Sequence, residues 1–303
     1  MISRREDEWS LGVEGGASVF VRSWPAKSSQ LGTILGCHGY SEHSGSYRHF
    51  AEFFNSKSLN VVMMDLPGHG LSTGERGNIE SFDLYVKSFF SVFDEMKQRR
   101  LPEPYYFFGH SLGGLVVIRS LQMRAWGPSL RRVFLSSPLL NLSEKCFFGL
   151  GRVFQFQWGR RAVLALTQVL PNLRLSNEAA LAEQKLTHDS EAARRRRADQ
   201  LICPEVTTHW TREFLKARER AFEDAVLIRQ PLAIFQAGDD HVTSADSAKD
   251  FLRRISVKEK LFRIYPDLYH EILNENQKLE VMEEMAFWLF QDEHSLGREM
   301  GSI

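Results

Sequence analysis

The chain has 303 residues, of which 43% are hydrophobic, and this is enough to bury the core of one large domain with an insertion. Its 38 basic side chains are balanced by 38 acidic ones, which argues against a nucleic-acid-binding protein, because such proteins usually carry a basic excess. Cys37, Cys146 and Cys203 are an odd number and widely spaced, so they predict neither disulfides nor a metal site and favour reduced thiols in a cytoplasmic setting.

The ends of the chain predict no targeting or membrane-spanning segment. Residues 1–8 are charged and no apolar stretch follows them, so we expect no secretory signal. The most apolar later stretch, residues 162–170, is too short to span a bilayer. We therefore expect a soluble protein that can still touch a membrane surface, with a frayed tail after Asp292.

Short runs of β-forming residues alternate with helical patterns along both ends of the chain. Helices are predicted at 50–57, at 79–99, after residue 111, at 245–254 and before residue 290. Strands are predicted at 19–21, 33–35, 61–64, 105–108, 133–135, 232–235 and 261–265. Continuous apolar runs such as 61–64 are typical of strands that are buried on both faces. The alternation predicts a mostly parallel, doubly wound α/β sheet.

This alternation lapses between residues 141 and 230, where apolar and charged residues recur at helical spacing throughout. We predict a core formed by residues 1–140 and 231–303 and an inserted helical cap, or lid, formed by residues 141–230. We call residues 141–230 the cap segment. Such an insertion would lie over the sheet edge at which open α/β folds bind ligands.

Residues Gly109 to Gly113 spell G-H-S-L-G, directly after an aromatic run and before an apolar stretch that can begin a helix. A sharp turn from strand to helix places the middle residue, Ser111, in a strained backbone conformation, and the flanking glycines have no Cβ to clash. The hydroxyl then stands exposed above the sheet. The pattern predicts that Ser111 is a nucleophile.

A serine hydroxyl is a weak nucleophile, so it needs a base, and the base needs an orienting acid. In this fold the chain order is serine, acid, histidine. Asp240 follows the predicted strand at 232–235 and is the preferred acid, with Asp239 as the second choice. His270 follows the last predicted strand and is the preferred base, which takes the serine proton and returns it to the leaving alcohol.

His270 has competitors, because the chain contains ten histidines. His241 adjoins the acid and is too close to be oriented by it. The others that need weighing either precede the serine in glycine-rich turns or fall inside the cap segment: His38, His69, His188 and His209. The chain order therefore favours His270.

An acyl-transfer enzyme also stabilises an oxyanion, usually with two backbone N–H donors. The N–H of Leu112 begins the predicted helix, where N–H groups are unsatisfied and the dipole is favourable. The second donor is expected from the loop after an early strand, where Tyr40 N–H is the candidate. This chemistry needs no metal and no organic cofactor.

Five blocks of the sequence carry a resemblance to a known family. They read HGYSEHSGSY (38–47), DLPGHGLS (65–72), GHSLGG (109–114), GDD (238–240) and YHEILNE (269–275). The chain resembles α/β-hydrolases of the monoacylglycerol lipase and lysophospholipase group over the core from about residue 19 to 290, and the cap segment is poorly matched.

The resemblance implies an α/β-hydrolase fold with a serine, aspartate and histidine triad. It also implies that the H-G-x-x-E-H block supplies the first oxyanion donor, which supports Tyr40, although the family usually has a small residue there. The bulkier Tyr40 is expected either to narrow the pocket or to point away from it. The 65–72 block is implied to be a structural turn, so His69 is assigned no chemistry. Long-chain monoacylglycerols or lysophospholipids are the implied substrates.

The cap segment is rich in apolar and basic residues. Its basic side chains outnumber its acidic ones by fifteen to eleven, and the run from Arg194 to Arg197 contributes most of the excess. The arginines are expected to form a solvated helix face or to favour anionic lipid surfaces. The apolar residues are expected to pack onto the core, or to form an acyl-chain tunnel and a membrane-docking surface: Phe147, Phe148, Leu150, Val153, Phe154, Phe156, Trp158 and residues 162–166.

Three functions are compatible with these patterns. The leading one is a serine carboxylic-ester hydrolase that cleaves a single-chain lipid ester through an acyl-enzyme. The second keeps the triad but acts on peptides with an N-terminal proline or on small soluble esters. A peptide substrate would need an acidic anchor for its amine, and either Glu205 or Glu213 qualifies. The third is a non-catalytic binding protein, which the presence of all three triad members and of the glycines around Ser111 disfavours.

Overall fold

The computed structural model describes residues 6–27, 30–146, 152–170, 173–176 and 185–291. The strands in these ranges are β1 Asp7–Gly12, β2 Ser18–Trp24, β3 Gly32–Cys37, β4 Leu59–Met64, β5 Tyr105–His110, β6 Leu130–Ser136, β7 Arg174–Ser176, β8 Glu205–Thr207, β9 Leu232–Ala237 and β10 Lys260–Tyr265. The helices are α1 Arg48–Ser56, α2 Phe82–Gln98, α3 Leu112–Met123, α4 Arg152–Gln155, α5 Gln157–Val169, α6 Ser190–Ala198, α7 Thr208–Glu223, α8 Ala245–Arg254 and α9 Lys278–Phe290.

Eight of the strands form one twisted sheet in the order β1-β2-β4-β3-β5-β6-β9-β10. The pairs β1–β2 and β2–β4 are antiparallel, whereas every pair from β4 to β10 along the sheet is parallel. The prediction of a mostly parallel α/β sheet is therefore confirmed. The parallel arrangement matters for function, because it brings the carboxyl ends of β3, β5, β9 and β10 to the same edge.

Alternate side chains of the central strands point to opposite faces, and each face is covered by helices. On β4, Val62 and Met64 belong to the cluster that contains side chains of α2, α3, α7 and α8. Val61 and Met63 belong to the cluster formed with α1 and α9. All four are fully buried, which explains the continuous apolar run of this strand.

Two parts of the sheet structure differ from the sequence expectation. The strand β1 was not predicted, because it lies at an edge and most of its side chains are exposed or half-buried. The cap segment is not helical throughout, since β7 and β8 form a two-stranded antiparallel sheet between its helices. This small sheet is attached to the core, because the N–H of Thr207 donates to the carbonyl of Gly77 at 2.9 Å.

Some expectations fall outside the described residues. These are the chain termini at 1–5 and 292–303 and the apolar cap side chains of Phe147, Phe148 and Leu150. Within the described ranges, none of the helices is both long enough and apolar enough to cross a bilayer.

Candidate active site

Ser111 lies at the turn between β5 and α3, and its backbone has φ 50° and ψ −116°. This positive φ is costly for a residue with a Cβ, and hydrogen bonds of the Ser111 N–H and carbonyl hold the residue in it. The N–H of Ser111 donates to the carbonyl of Ser136 at 2.9 Å, and its carbonyl accepts from the N–H of Leu139 at 2.9 Å. The turn thus presents the serine at the carboxyl edge of the sheet.

The two glycines of the pentapeptide allow this turn to pack closely. A Cβ on Gly113 would lie 2.1 Å from the carbonyl oxygen of Cys37, and a Cβ on Gly109 would lie 2.6 Å from the carbonyl oxygen of Gly113. Helix α3 can therefore approach β3 only because residue 113 has no side chain.

Asp240 and His270 form a buried pair at the same edge. Asp240 follows β9 and His270 follows β10, and Nδ1 of His270 donates to Oδ2 of Asp240 at 2.9 Å. The other carboxylate oxygen of Asp240 accepts the N–H groups of Val242 at 2.7 Å and Thr243 at 2.8 Å. The Thr243 hydroxyl donates to Oδ2 at 2.7 Å. These bonds fix the carboxylate and leave Nε2 of His270 as the free ring nitrogen of that pair.

The surroundings of the pair shift the two pKa values in opposite directions: the pKa of His270 rises and that of Asp240 falls. Burial, the largest effect, lowers the pKa of His270, but the negative charge and hydrogen bond of Asp240, with Glu271 and Glu42, outweigh it and raise that pKa above 6.5. Burial raises the pKa of Asp240, but the charge of His270 and the hydrogen bonds that Asp240 accepts lower it below its usual value. The site therefore favours an ionised aspartate beside a histidine that holds a proton readily.

The turn at Ser111 adjoins both the His270 loop and the loop after β3. The ring of His110, the residue before the serine, lies 4.9 Å from the His270 ring. A Cβ on Gly39 would lie 3.1 Å from the Cβ of Ser111 and 2.6 Å from Oε1 of Glu42. The structure therefore brings Ser111, His270 and the loop that contains Gly39 and Tyr40 into one cluster.

Both predicted oxyanion donors border this cluster. Within the described ranges, neither the backbone N–H of Tyr40 nor that of Leu112 donates a hydrogen bond to another residue. The Tyr40 side chain turns to the cap segment: its hydroxyl donates to the carbonyl of Glu205, and its ring lies 4.5 Å from that of Trp210. Tyr40 thus follows Gly39, which adjoins Ser111, while its side chain anchors the cap segment.

The histidines that compete with His270 in the sequence have other partners. His38 bonds the carbonyl of Gly39 and the N–H of Leu66, and burial lowers its pKa to about 3. His69 is also fully buried, and burial lowers its pKa to about 3, so both serve the core structure. The remaining rivals bind other partners: His188 contacts Glu275, His209 contacts the Glu80 carbonyl and His241 contacts Asp239.

Asp239, the second choice for the acid, points away from His270. Its carboxylate pairs with Lys145 and lies 3.3 Å from Nε2 of His241. Among the described residues, no three His, Cys, Asp or Glu side chains converge as metal ligands. Sequence reasoning missed Thr243, which holds the Asp240 carboxylate. The spacing D-x-x-T was the available signal, because an Asp side chain often accepts the N–H groups two and three residues later.

The cap segment combines packed and exposed apolar side chains. Phe154, Val163 and Leu164 pack against the main core. Phe156 and Trp158, by contrast, are 54% and 66% exposed, and their rings stack on each other at 5.9 Å. The same part of the cap segment exposes further large side chains: Leu166, Val169, Leu170 and Leu173.

Several charged side chains of the cap segment are paired within the described residues. In the arginine run, Arg194 pairs with Glu191 at 2.8 Å and Arg196 with Glu271 at 3.1 Å. The two acidic side chains considered as amine anchors are also paired. Glu205 lies 2.9 Å from Arg174, and Glu213 lies 2.8 Å from Lys216.

Comparison with known proteins finds a family and several lipase-like relatives. The family described as serine aminopeptidase, S33, matches residues 28–277. Phospholipase YtpA of Bacillus subtilis is 31% identical over 260 residues, which cover 85% of this chain and 95% of the relative. The monoglyceride lipase of Homo sapiens is 26% identical over 281 residues, which cover 91% of this chain and 88% of the relative. The crystal structure of a monoacylglycerol lipase from Paleococcus ferrophilus is 27% identical, with a TM-score of 0.72 and coverage of 94% of this chain and 98% of that one.

Proposed function

Because the chain belongs to the serine aminopeptidase S33 family of α/β-hydrolases, we propose that it is a serine hydrolase that cleaves single-chain lipid esters into a fatty acid and an alcohol. The observation that carries the proposal is the buried hydrogen bond between Asp240 and His270, placed beside the strained turn of Ser111. This arrangement supplies a nucleophile, a base and an orienting acid in the order that the fold requires.

The proposed reaction begins when Ser111 Oγ attacks the ester carbonyl carbon and Nε2 of His270 accepts the hydroxyl proton. Asp240 stabilises the resulting imidazolium through Nδ1. The carbonyl oxygen becomes an oxyanion that accepts the N–H groups of Tyr40 and Leu112, each contributing about 3 kcal/mol of transition-state stabilisation.

His270 then gives its proton to the alcohol oxygen as the ester C–O bond breaks, and this leaves the acyl group on Ser111. In the second half, water loses a proton to His270 and attacks the acyl carbonyl. The C–O bond to Ser111 breaks, the serine oxygen regains the proton from His270, and the fatty acid leaves.

The choice of a lipid substrate is supported by the relatives and by the cap segment. The phospholipase and the monoglyceride lipase both match across most of this chain, and the family match over residues 28–277 spans the candidate site. The exposed aromatic pair of Phe156 and Trp158 gives the cap segment an apolar surface suited to a peripheral lipid contact. Monoacylglycerols and lysophospholipids share the single acyl ester that this reaction needs.

Peptides with an N-terminal proline remain the second candidate, since the family description names an aminopeptidase. A peptide substrate would need a carboxylate for its amine. Glu205 and Glu213 are already paired with cations of the cap segment, so binding an amine there would require breaking those pairs. The geometry therefore favours the ester substrate.

The test is fatty-acid release from a long-chain monoacylglycerol and from lysophosphatidylcholine of the same chain length, with Ser111→Ala as the control. Release from either lipid that disappears in Ser111→Ala supports the proposal and identifies the preferred head group. Labelling of Ser111 by a fluorophosphonate without release from either lipid contradicts the lipid assignment. In that case, hydrolysis of a prolyl-naphthylamide would support the peptidase, and hydrolysis of p-nitrophenyl butyrate alone would support a small-ester hydrolase.

A further inference from the structure

A buried carboxylate closes the loop that carries His270. The side chain of Glu275 is fully buried, and its Oε1 accepts the backbone N–H of Tyr269 at 2.8 Å. The bond spans the loop, from Glu275 at its end to Tyr269 directly before His270. The carboxylate therefore ties the two ends of the 269–275 loop together.

The same carboxylate also binds the cap segment. Oε1 of Glu275 accepts Nδ1 of His188 at 2.9 Å, and Oε2 accepts the backbone N–H of His188 at 2.9 Å. The His188 ring stacks on that of Tyr269, with the centroids 3.7 Å apart and the planes inclined by 15°. The hydroxyl of Thr187 donates to the carbonyl of Asn274 at 2.9 Å, which joins the two segments at a further point.

The residue after His270 is held by the cap segment as well. The N–H of Glu271 donates to the carbonyl of Leu186 at 2.8 Å. His270 thus lies between two fixed backbone N–H groups, one bound by Glu275 and the other by Leu186. Neither contact involves the imidazole itself, so both fix the position of the His270 backbone.

We propose that Glu275 is a positioning residue for His270: its carboxylate joins the 269–275 loop to His188 of the cap segment and so sets the imidazole against Asp240. This inference rests on the proposed role of His270 as the base. Glu275 does not touch the reacting atoms, and its effect is geometric. Misplacement of a reacting group by about 1 Å can lower a rate roughly 100-fold, so a displaced loop would be costly even in a folded protein.

The test compares Glu275→Gln with the wild type on p-nitrophenyl butyrate, a small ester that does not depend on the lipid assignment. The amide keeps the shape of the side chain but replaces one acceptor oxygen by a donor, so it cannot accept all three N–H groups that the carboxylate binds: the Tyr269 backbone N–H, the His188 backbone N–H and the His188 ring N–H. A fluorophosphonate titrates the competent Ser111, and kcat is expressed per titrated site. We expect kcat per site to fall at least about tenfold, with KM changed by less than about twofold. Glu280→Gln, on the exposed face of α9, is the matched control and should equal the wild type.

The second readout is the acid limb of the pH profile of kcat/KM, which reports the pKa of the catalytic base. The groups that face His270 are Asp240, Glu271, Glu42 and the ring of His110. Since the carboxylates favour the protonated imidazole, a loop displaced from Asp240 should move the acid limb of Glu275→Gln to lower pH. A merely structural role would reduce the number of titrated sites and leave both the limb and kcat per site unchanged, and that result would overturn the proposal.

His188 provides an independent pair of variants should Glu275→Gln fail to fold. Asparagine at 188 offers an amide N–H near the position of Nδ1, whereas alanine offers none. We expect His188→Asn to retain most of the wild-type kcat per titrated site and His188→Ala to lose it. Equal values for His188→Ala and the wild type would contradict the proposal. Hydrolysis of the small ester without release from either lipid would contradict the lipid function alone.

Discussion

The hydroxyl of Tyr40 donates to the backbone carbonyl of Glu205, which joins the loop after β3 to strand β8 of the cap segment. Two neighbours reinforce this junction, since the Ser41 hydroxyl donates to the carbonyl of Cys203 and His43 pairs with Asp199 at 2.8 Å. The loop expected to supply an oxyanion donor is therefore built against the cap segment. The large side chain at position 40 is explained by this anchoring.

Removing that hydroxyl should weaken both stability and turnover. Tyr40→Phe removes the stronger of the two donors to the Glu205 carbonyl and leaves only the Cys203 thiol, so we expect unfolding by urea to cost about 1 kcal/mol less. We also expect a several-fold lower kcat, because the backbone N–H of residue 40 loses support. Tyr265→Phe is the control: it also removes a tyrosine hydroxyl, which Tyr265 at the end of β10 donates to Glu284 of α9 at 3.1 Å. An unchanged kcat in Tyr40→Phe would show that this hydrogen bond does not contribute to catalysis.

The two adjacent aspartates should differ sharply in their effect on activity. Asp240→Asn removes the charge that orients His270, and we expect kcat to fall by about 1,000-fold or more. Asp239→Asn removes a carboxylate that pairs with Lys145, at the surface, and should change kcat by less than about twofold. The measurement is steady-state hydrolysis of p-nitrophenyl butyrate by each variant. The reverse order would assign the acid to Asp239.

Activity should rise with pH while one contribution to stability declines. The base must be neutral to accept the serine proton, and the pKa of His270 is raised above 6.5, so the rising limb of kcat/KM is expected above pH 6.5. A raised pKa in the folded state stabilises the protein below the unfolded pKa, and this contribution is lost as pH rises through the folded pKa. A kcat/KM profile between about pH 5 and 9, paired with urea unfolding, checks both directions. A rising limb of kcat/KM that lies below pH 6.5 would contradict the raised pKa of His270.

A side chain at Gly113 should prevent the turn from packing. Its Cβ would lie 2.1 Å from the carbonyl oxygen of Cys37, and this oxygen belongs to the backbone of β3 and cannot easily move. We expect Gly113→Ala to destabilise the protein by about 3 kcal/mol, measured by urea unfolding. Gly127→Ala, where no atom lies within 4 Å of the added Cβ, should stay within about 0.5 kcal/mol of the wild type.

The aromatic pair of the cap segment should dominate binding to lipid surfaces. If each ring contributes about 1.5 kcal/mol on insertion, the double variant Phe156→Ser, Trp158→Ser should bind vesicles roughly 100-fold more weakly. Co-sedimentation with phosphatidylcholine vesicles containing phosphatidylglycerol measures this. The control is Leu279→Ser, Phe287→Ser on α9, which removes side chains that are 62% and 61% exposed. Equal losses in both double variants would indicate nonspecific adsorption.

Features with a local sequence pattern could be predicted, and those that depend on distant contacts could not. The turn at Ser111 follows a continuous apolar strand without an intervening residue, so residues 105–113 carry its whole signature. β7 and β8 have three residues each, which is too short for a period-two pattern to be visible. β1 starts with acidic residues and lies at the sheet edge, where burial imposes little pattern.

Within the site, chain order favoured His270, because few histidines follow the last strands. It could not separate Asp239 from Asp240, since adjacent residues differ only in the direction of their side chains. The contact of Glu275 with His188 was also beyond sequence reasoning. These residues are 87 positions apart and meet only because the cap segment returns to the loop after β10.

Helix α7 lies at the end of the cap segment, yet its side chains Trp210, Phe214 and Ala221 belong to the main core cluster. It precedes β9, which pairs in parallel with β6, so α7 serves as the crossover helix between neighbouring parallel strands. The insertion is therefore grafted into a connection that the sheet would need in any case. We therefore propose that the part of the cap segment before α7 can change in length and composition without disturbing the register of β6 and β9, because α7 alone supplies the crossover between them.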